Sequence, residues 1–321
     1  MSHGAPDPSH EDGSVYDGLL GGDPSQWAFG TDFEDPLAGV DTTVPAGLDA
    51  AELAAYCLFL GDDSLVMSHR LAEWCSNAPD LEDDIALANI ALDLLGQARL
   101  LLSRAAAADP SLVPTLPEGS PVPAEDALAF FRDEAAFRNV RYVEAVNGDF
   151  AVTVARLLLF ATHRLALLQR LTTSVDPVLA AIAAKGVKEV TYHRDYAGRW
   201  FLTLARGTGE SRRRLVAGID TLWPYWAELF DTHAVERETA RAGVGVDPAG
   251  IAPDADAVLQ QVLTASGVDR PALPPRAGTQ GHTGRAGRTG HKGRDGDHTD
   301  ALGGLLAEMQ VVARAHPRGQ W

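Results

Sequence analysis

The 321-residue sequence contains only two cysteines, Cys57 and Cys75, and both lie within apolar helical pattern. Two cysteines give no disulfide framework, and they favour a reducing compartment. Basic side chains are also scarce, since 27 Lys and Arg stand against 44 Asp and Glu, for a formal net charge of −17. A field of that sign repels phosphate backbones, so we expect no nucleic acid as a general partner.

Other patterns are missing as well. The N-terminus lacks the basic and then apolar segments of a signal peptide. No stretch approaches the roughly 20 uninterrupted apolar residues of a membrane span. No alternating pattern of useful length predicts a strand. There is no Gly-x-Ser-x-Gly motif, and Gly207-Thr208-Gly209 lacks the rest of a phosphate-binding loop. We therefore expect an all-α cytoplasmic protein with no membrane contact and no nucleophilic catalysis.

The composition divides the chain into four segments. Residues 1–47 are rich in Gly, Pro, Asp and Ser, which predicts a disordered N-terminal extension. Residues 48–245 carry helical periodicity and are predicted to form a helical bundle. Residues 246–300 are irregular and include a Gly/Arg-rich stretch. Residues 301–321 are predicted to form a C-terminal helix that packs on the bundle or on a partner, because its apolar residues form one stripe.

Within the bundle, helical periodicity begins at Leu48, is interrupted at Gly61-Asp62-Asp63 and resumes from Leu65 to Trp74. A strong helix starts at Pro79-Asp80 and ends at Leu102. Long antiparallel helices joined by short loops make a bundle. The remaining helices are predicted at Glu125 to Val146, Phe150 to Thr172, Leu179 to Leu204, Glu210 to Phe230, Ala255 to Thr264 and Leu302 to Arg314.

Polar residues occur where the core should be apolar. Asp93 and Gln97 are spaced i, i+4 and therefore share one stripe of their helix. A buried carboxylate is costly unless it is paired, so Asp93 needs a partner. Lys188 and His193, on the helix from Leu179 to Leu204, are the leading candidates for that partner.

The same positions nearly supply a di-iron motif. Bundles that hold two irons place Glu-x-x-His on two helices and one carboxylate on each of two others. The corresponding windows here read Asp93-Leu94-Leu95-Gly96-Gln97 and Lys188-Glu189-Val190-Thr191-Tyr192-His193. In each window the carboxylate stands one position early, and only His193 could bind a metal. The sequence therefore predicts a ferritin-like helical bundle with a degenerate di-iron site.

Three stretches carry a resemblance to a known family. They are Trp74-Cys75-Ser76-Asn77-Ala78-Pro79, the run from Asn89 to Arg99, and Leu305-Leu306-Ala307-Glu308-Met309-Gln310 with the terminal Gly319-Gln320-Trp321. In these stretches the chain resembles the PaaC family, the non-catalytic ferritin-like subunits of the 1,2-phenylacetyl-CoA epoxidase complexes. The similarity runs from about Leu48 to the C-terminus.

The resemblance implies a function and a set of partners. The family belongs to a multicomponent monooxygenase that epoxidises the ring of phenylacetyl-CoA in aerobic phenylacetate catabolism. The catalytic subunit of that complex holds the di-iron site and binds the thioester, whereas the PaaC proteins share its fold, lack the metal and pair with it. A reductase subunit with flavin and iron-sulfur groups delivers electrons from NADPH. The resemblance implies no cofactor in this chain, and its partners would be the catalytic di-iron subunit, the reductase and other complex subunits.

The resemblance also maps the missing ligands onto this sequence. The first-helix glutamate of the catalytic subunit falls near Ser64, and the two Glu-x-x-His motifs become Leu94-x-x-Gln97 and Val190-x-x-His193. We accordingly assign no catalytic and no metal-binding residue. The residues expected at the degenerate site or as buried polar groups are Ser64, Asp93, Gln97, Lys188, Glu189 and His193.

Two alternatives remain open at this stage. The chain could be an independent metal- or ligand-binding enzyme that uses Asp93, Glu189, His193 and Glu73, and iron content distinguishes this from the role of a non-catalytic subunit. The Gly/Arg/His-rich segment could also bind anions or nucleic acid, although a flexible linker is the simpler interpretation. The basic residues of that segment are Arg285, Arg288, Lys292 and Arg294.

Overall fold

The computed structural model describes residue 37 and residues 39–272 and 293–319. The chain divides into two compact units, Met1–Ala38 and Gly39–Trp321. The first unit lies almost wholly outside the described residues, and so does most of the predicted extension 1–47. Within the described ranges all regular structure is helical, which confirms the all-α prediction.

The described part of the second unit contains nine α-helices. Four of them are long, and α1 packs against α2 while α4 packs against α5. In chain order the helices are α1 Ala50–Ala72, α2 Leu81–Ala108, α3 Ala124–Phe130, α4 Phe150–Leu171, α5 Pro177–Arg206, α6 Gly209–Trp226, α7 Ala234–Arg241, α8 Ala252–Ser266 and α9 Asp300–Ala315.

Each of the four long helices begins at an aspartate. The carboxylates of Asp49, Asp80, Asp149 and Asp176 accept hydrogen bonds from backbone N–H groups in the first turn of α1, α2, α4 and α5. These N–H groups have no partner within the helix, so an aspartate cap both satisfies them and suits the positive end of the helix dipole. The four caps fix where the bundle helices start.

The predicted interruption at Gly61-Asp62-Asp63 is wrong, because α1 continues through it without a break. Gly61 lies against α2: a Cβ built there would stand 3.1 Å from a methyl carbon of Leu102, so glycine allows the two helices to approach closely. Both aspartates are buried. A motif typical of turns is therefore held inside a helix by its packing and by the ion pairs described below.

The predicted helix from Glu125 to Val146 is also wrong, since α3 ends at Phe130. The chain then continues as irregular backbone with short 3₁₀ turns. Backbone N–H groups of this stretch bind side chains of α1: Arg138 N donates to Asp62 Oδ2 at 2.9 Å and Val140 N donates to Asp63 Oδ1 at 2.9 Å. These bonds use N–H groups that a continued helix would need.

Two helices, α2 and α4, are long and apolar enough to cross a membrane by length and composition alone. A core helix of a folded domain passes the same test. In this fold 94% of the apolar window of α4 is buried, as expected for a core helix, whereas the corresponding window of α2 is only 44% buried. The described part of the bundle therefore leaves one face of α2 uncovered.

Candidate functional site

A chain of polar side chains joins the four long helices at the centre of the bundle. The Arg164 guanidinium of α4 donates to Ser64 Oγ of α1 at 2.8 Å and to Gln97 Oε1 of α2 at 3.4 Å. The Gln97 amide in turn donates to Glu189 Oε2 of α5 at 3.0 Å. Ser64, Gln97 and Arg164 are buried. One hydrogen-bonded path thus links α1, α2, α4 and α5 where a di-iron bundle has its metals.

Arg164 is the residue at this centre that could not be singled out from the sequence. Burial lowers the pKa of Arg164 to about 10, and the nearby charge of Asp63 opposes that shift. The guanidinium therefore stays protonated at neutral pH and places a positive charge in the middle of the bundle. The signal available in the sequence was that two arginines, Arg156 and Arg164, stand inside a long and mostly apolar helical run.

A second polar contact lies beside this path. His193 Nε2 of α5 is 2.9 Å from Asp93 Oδ2 of α2, so the histidine is the partner that Asp93 was predicted to need. Asp93 itself was expected to be buried and is not, since 36% of its side chain is exposed at the edge of α2. Lys188 was the other candidate partner, but it is exposed on α5 and is not the residue that contacts Asp93. Glu189 is partly exposed and pairs with Lys185.

The donors at the bundle centre do not fit a pair of iron ions. They are a hydroxyl, an amide, a guanidinium and one carboxylate, that of Glu189, which already pairs with Lys185. A guanidinium cannot bind a cation, and one carboxylate does not replace the ligand set of two irons. Leu94 and Val190, which the resemblance aligned with metal-binding glutamates, are fully buried aliphatic residues. Within the ranges that the structure describes, no three His, Cys, Asp or Glu side chains lie close enough to hold a metal.

The alternative metal site predicted from the sequence is not assembled either. Its members Asp93 and His193 are in contact. Glu73, however, pairs with Arg70 at 2.7 Å and accepts a hydrogen bond from Asn147 at 2.6 Å. The four residues proposed for that site therefore do not converge.

Two buried ion pairs flank the centre on α1. Arg132 donates from both of its terminal nitrogens to the Asp62 carboxylate, at 3.0 and 2.5 Å. Arg294 donates to Asp63 Oδ1 at 2.9 Å and to Asp63 Oδ2 at 2.8 Å. All four side chains are buried, and bidentate geometry gives each carboxylate a cation with two hydrogen bonds.

These contacts correct the prediction of a basic patch at the end of the Gly/Arg/His-rich segment. Under the alternative in which this segment binds anions, Arg294 would have to be available to them, but it is buried and pairs with Asp63. A nucleic acid or free phosphate could reach it only by breaking that ion pair. The other three residues of the predicted patch, Arg285, Arg288 and Lys292, lie outside the described residues.

A third buried cluster surrounds Glu144. Its carboxylate accepts hydrogen bonds from Asn139 at 2.8 Å and from the backbone N and Oγ1 of Thr299 at 2.7 Å each. His298 Nδ1 lies 2.7 Å from Glu144, and its Nε2 lies 3.0 Å from the Phe137 carbonyl. Because both ring nitrogens face acceptors, both must carry a proton, and His298 is an imidazolium cation.

This cluster predicts a pH-dependent stability. Burial acts to lower the pKa of His298, but the hydrogen bond and charge of Glu144 and the Phe137 carbonyl outweigh it, so the pKa is raised above 6.5. A raised folded-state pKa contributes stability that is complete below the unfolded value and is lost as pH rises through the folded value. We expect the free energy of unfolding of wild type, relative to His298→Gln, to fall as pH rises above 6.5. Urea titrations from pH 5.5 to 9 measure it.

Thr299→Val provides the control for this experiment, because it removes another hydrogen bond to the Glu144 carboxylate without removing a titratable group. Thr299→Val should leave the shape of the stability profile above pH 6.5 close to that of wild type, because His298 keeps both of its acceptors. Parallel profiles for wild type and His298→Gln over that range would contradict the imidazolium assignment.

The long helices and their centre define a ferritin-like helical bundle whose middle is occupied by protein side chains. The chain belongs to the family of phenylacetic acid catabolic proteins, whose family model matches residues 40–321. It is similar to the C subunit of the 1,2-phenylacetyl-CoA epoxidase of Escherichia coli (strain K12), with 42% identity over 270 residues. That alignment covers 84% of this chain and 99% of the relative. The resemblance inferred from the sequence is confirmed.

Proposed function

We propose that this chain is a structural, non-catalytic subunit of a multicomponent di-iron monooxygenase that epoxidises the ring of phenylacetyl-CoA. Its setting would be aerobic phenylacetate catabolism in the cytoplasm. The observation that carries the non-catalytic part is the bundle centre, where Arg164, Ser64 and Gln97 bind one another. The similarity to an epoxidase component, over nearly the whole length of that relative, supports the choice of complex.

The chemistry separates the role of this chain from that of its partners. Activation of O₂ for epoxidation needs a redox centre, and neither a guanidinium nor a carboxamide can exchange electrons with O₂. We assign the di-iron centre and the binding of the thioester to a catalytic subunit with a related bundle. We assign NADPH, flavin and iron-sulfur groups to a reductase subunit. The contribution of this chain is then to bind its catalytic partner and hold it in the active form.

Reconstitution tests this proposal. The catalytic subunit, the reductase, NADPH and phenylacetyl-CoA are combined with and without this chain, and an inert acidic protein replaces it in the control. We expect ring epoxidation only when this chain is present, and none from this chain with the reductase alone. Metal analysis of the isolated chain, expressed in iron-replete medium and washed with chelator, should find no stoichiometric iron.

Each arm can contradict the proposal. If about two irons per chain survive the wash, the alternative that this chain is an independent metal enzyme is the better hypothesis. Turnover by this chain with the reductase would show that it has a redox site. Full turnover by the catalytic subunit in the absence of this chain would show that the proposed structural role is wrong.

A further inference from the structure

A short segment, residues 293–299, leads directly into α9 and is seated in the bundle by charged side chains. We call this segment the strap. Its sequence, Gly-Arg-Asp-Gly-Asp-His-Thr, contains no aliphatic side chain, so burial of apolar surface contributes little to holding it in place. Arg294 binds Asp63 near one end of the strap, and His298 binds Glu144 near the other. The strap is therefore attached at two points by buried ion pairs.

Two glycines allow the strap to lie against the irregular stretch that follows α3. A Cβ built on Gly293 would stand 2.0 Å from the Asn139 carbonyl oxygen. Gly296 has a φ of +80°, which favours glycine, and a Cβ built there would stand 2.6 Å from the Ala135 carbonyl oxygen. A side chain at either position would push the strap away from that stretch. The closed position of the strap therefore depends on backbone contacts that glycine permits.

α9 follows the strap and is held by a small apolar face. It packs against α3 and against the 3₁₀ turn Glu134–Ala136, and its buried apolar side chains are Leu302, Leu305 and Leu306. The core helix α4 instead buries apolar side chains along its whole length. A region with few buried apolar contacts opens at a lower free energy than the core. The strap and α9 therefore have the features of a unit that can open while the four long helices stay folded.

We propose that the strap is a pH-sensitive latch for α9: residues 293–315 open as one unit while the four long helices stay folded, and loss of the His298 proton loosens the closed form. In the closed form both ring nitrogens of His298 face acceptors, Glu144 and the Phe137 carbonyl. A neutral imidazole has one proton on nitrogen, so it must leave one of these acceptors unbound. Opening hydrates His298 and Glu144 and removes that cost. A higher pH therefore favours the open form, which uncovers the leucine face of α9.

The charged groups that face His298 favour its protonated form. Burial acts to lower the pKa of the imidazole, but the hydrogen bond and charge of Glu144, a backbone carbonyl and the charge of Glu134 outweigh it. From α1, Arg70 reaches the same place and donates to the Glu144 carbonyl oxygen at 3.0 Å. Arg70 is paired with Glu73, which reduces the effect of its charge on the imidazole.

Other titratable groups beside the strap have weaker contacts. His233 Nε2 lies 3.4 Å from Asp295 Oδ1, but both side chains are partly exposed, so water screens that pair. Asp297 and Asp300 lie close to His298 in the chain and are exposed. His298 is therefore the residue whose proton matters most for the closed strap.

Hydrogen–deuterium exchange of the full-length chain, read by mass spectrometry, tests the latch. Protection factors of α9 and α4 peptides are compared, because they correct for the effect of pH on the intrinsic exchange rate. At pH 6 we expect the protection of α9 to be at least about 100-fold lower than that of α4, whose amides lie in the core. Between pH 6 and 8.5 the protection of α9 should fall at least about 5-fold in wild type and stay within about 2-fold in His298→Gln.

A glycine substitution tests the strap without changing a titratable group. Gly296→Ala should lower the protection of α9 at least about 10-fold at pH 6, because the added methyl group meets a backbone oxygen only while the strap is closed. Gly47→Ala is the matched control, since Gly47 has a φ of +88° but a Cβ built there meets no atom within 4 Å. The turn before α1 stays folded when the latch opens, so this control should keep the protection of α9 within about 2-fold.

Three results would overturn the latch. Equal protection of α9 and α4 in wild type would show that the chain opens only as a whole. A fall in the protection of α9 with pH that persists in His298→Gln would show that another group titrates. Protection of α9 that Gly296→Ala leaves unchanged would show that the strap does not hold this helix.

Discussion

Replacing Arg294 by methionine should lower the free energy of unfolding by about 3–5 kcal/mol. Arg294 holds Asp63 through two hydrogen bonds and lies 3.6 Å from a carboxylate oxygen of Glu236. Its removal therefore strands two buried carboxylates. Burial already raises the pKa of Glu236, against the charge of Arg294. Without the arginine, both acids must protonate or take in water, and either response costs free energy. Urea unfolding at pH 7 measures the loss.

Arg199→Met is the control for this substitution. Arg199 is exposed and pairs with Asp195 one helical turn away, so its removal should change stability by less than about 0.5 kcal/mol. A double-mutant cycle measures the coupling free energy between Asp63 and Arg294. Asp63→Leu combined with Arg294→Met should lower the free energy of unfolding clearly less than the sum of the two single changes, because neither member of the pair is then left without its partner. Additive losses would show that Asp63 and Arg294 do not stabilise each other.

The Asp63–Arg294 ion pair helps to explain why the predicted break in α1 is wrong. Gly-Asp-Asp is typical of a turn, since glycine and aspartate favour non-helical backbone. The cations that make these aspartates acceptable inside a helix are Arg132 and Arg294, 70 and 231 positions further along the chain. Local periodicity contains no information about partners at that distance. The irregular stretch after α3 escaped prediction for the same reason, because its N–H groups bind Asp62 and Asp63 rather than its own carbonyls.

The candidate site also contains some residues that could be predicted from the sequence and others that could not. Gln97 could be singled out because it stands in a broken di-iron motif that is visible in the sequence. Ser64 could be singled out only through the resemblance to the PaaC family. The choice of His193 over Lys188 for Asp93 was left open, since both lie on the facing helix and only the rotation of α5 decides between them. Arg164 was missed because a cation inside an apolar helix gives no sign of its acceptors. Its acceptors come from two other helices.

Arginine side chains of the bundle itself neutralise its buried aspartates. Asp62, Asp63 and Asp176 each have an arginine partner from another part of the chain, and Arg164 spans the centre. A bundle that holds metal can instead use the ion to satisfy its acidic residues. These arginines therefore give the fold its internal charge balance without an ion, which is consistent with a protein whose proposed role is to bind a partner.

The largest single-residue effect is expected at Asp176, which has two roles. Its carboxylate caps α5 by accepting from Leu179 N at 2.8 Å, and it forms a buried ion pair with Arg104. Asp176→Ala removes the cap, at about 1 kcal/mol, and strands the guanidinium, at about 3–5 kcal/mol. A loss of that size approaches the whole stability of a typical domain. We expect the melting temperature to fall sharply and the yield of folded protein with it.

Two further variants separate the roles of Asp176. Asp49→Ala removes a similar cap, on α1, so it should cost about 1 kcal/mol: among the described residues its carboxylate binds only the N–H groups of Ala51 and Glu52. Asp176→Asn keeps an oxygen for the cap but loses the charge, so its loss should fall between those of Asp49→Ala and Asp176→Ala. Arg104 also donates to the Thr42 carbonyl at 2.6 Å, yet a neutral carbonyl does not compensate a buried cation as a carboxylate does. If Asp176→Ala cost no more than Asp49→Ala, the ion pair would contribute nothing and the cap alone would account for Asp176.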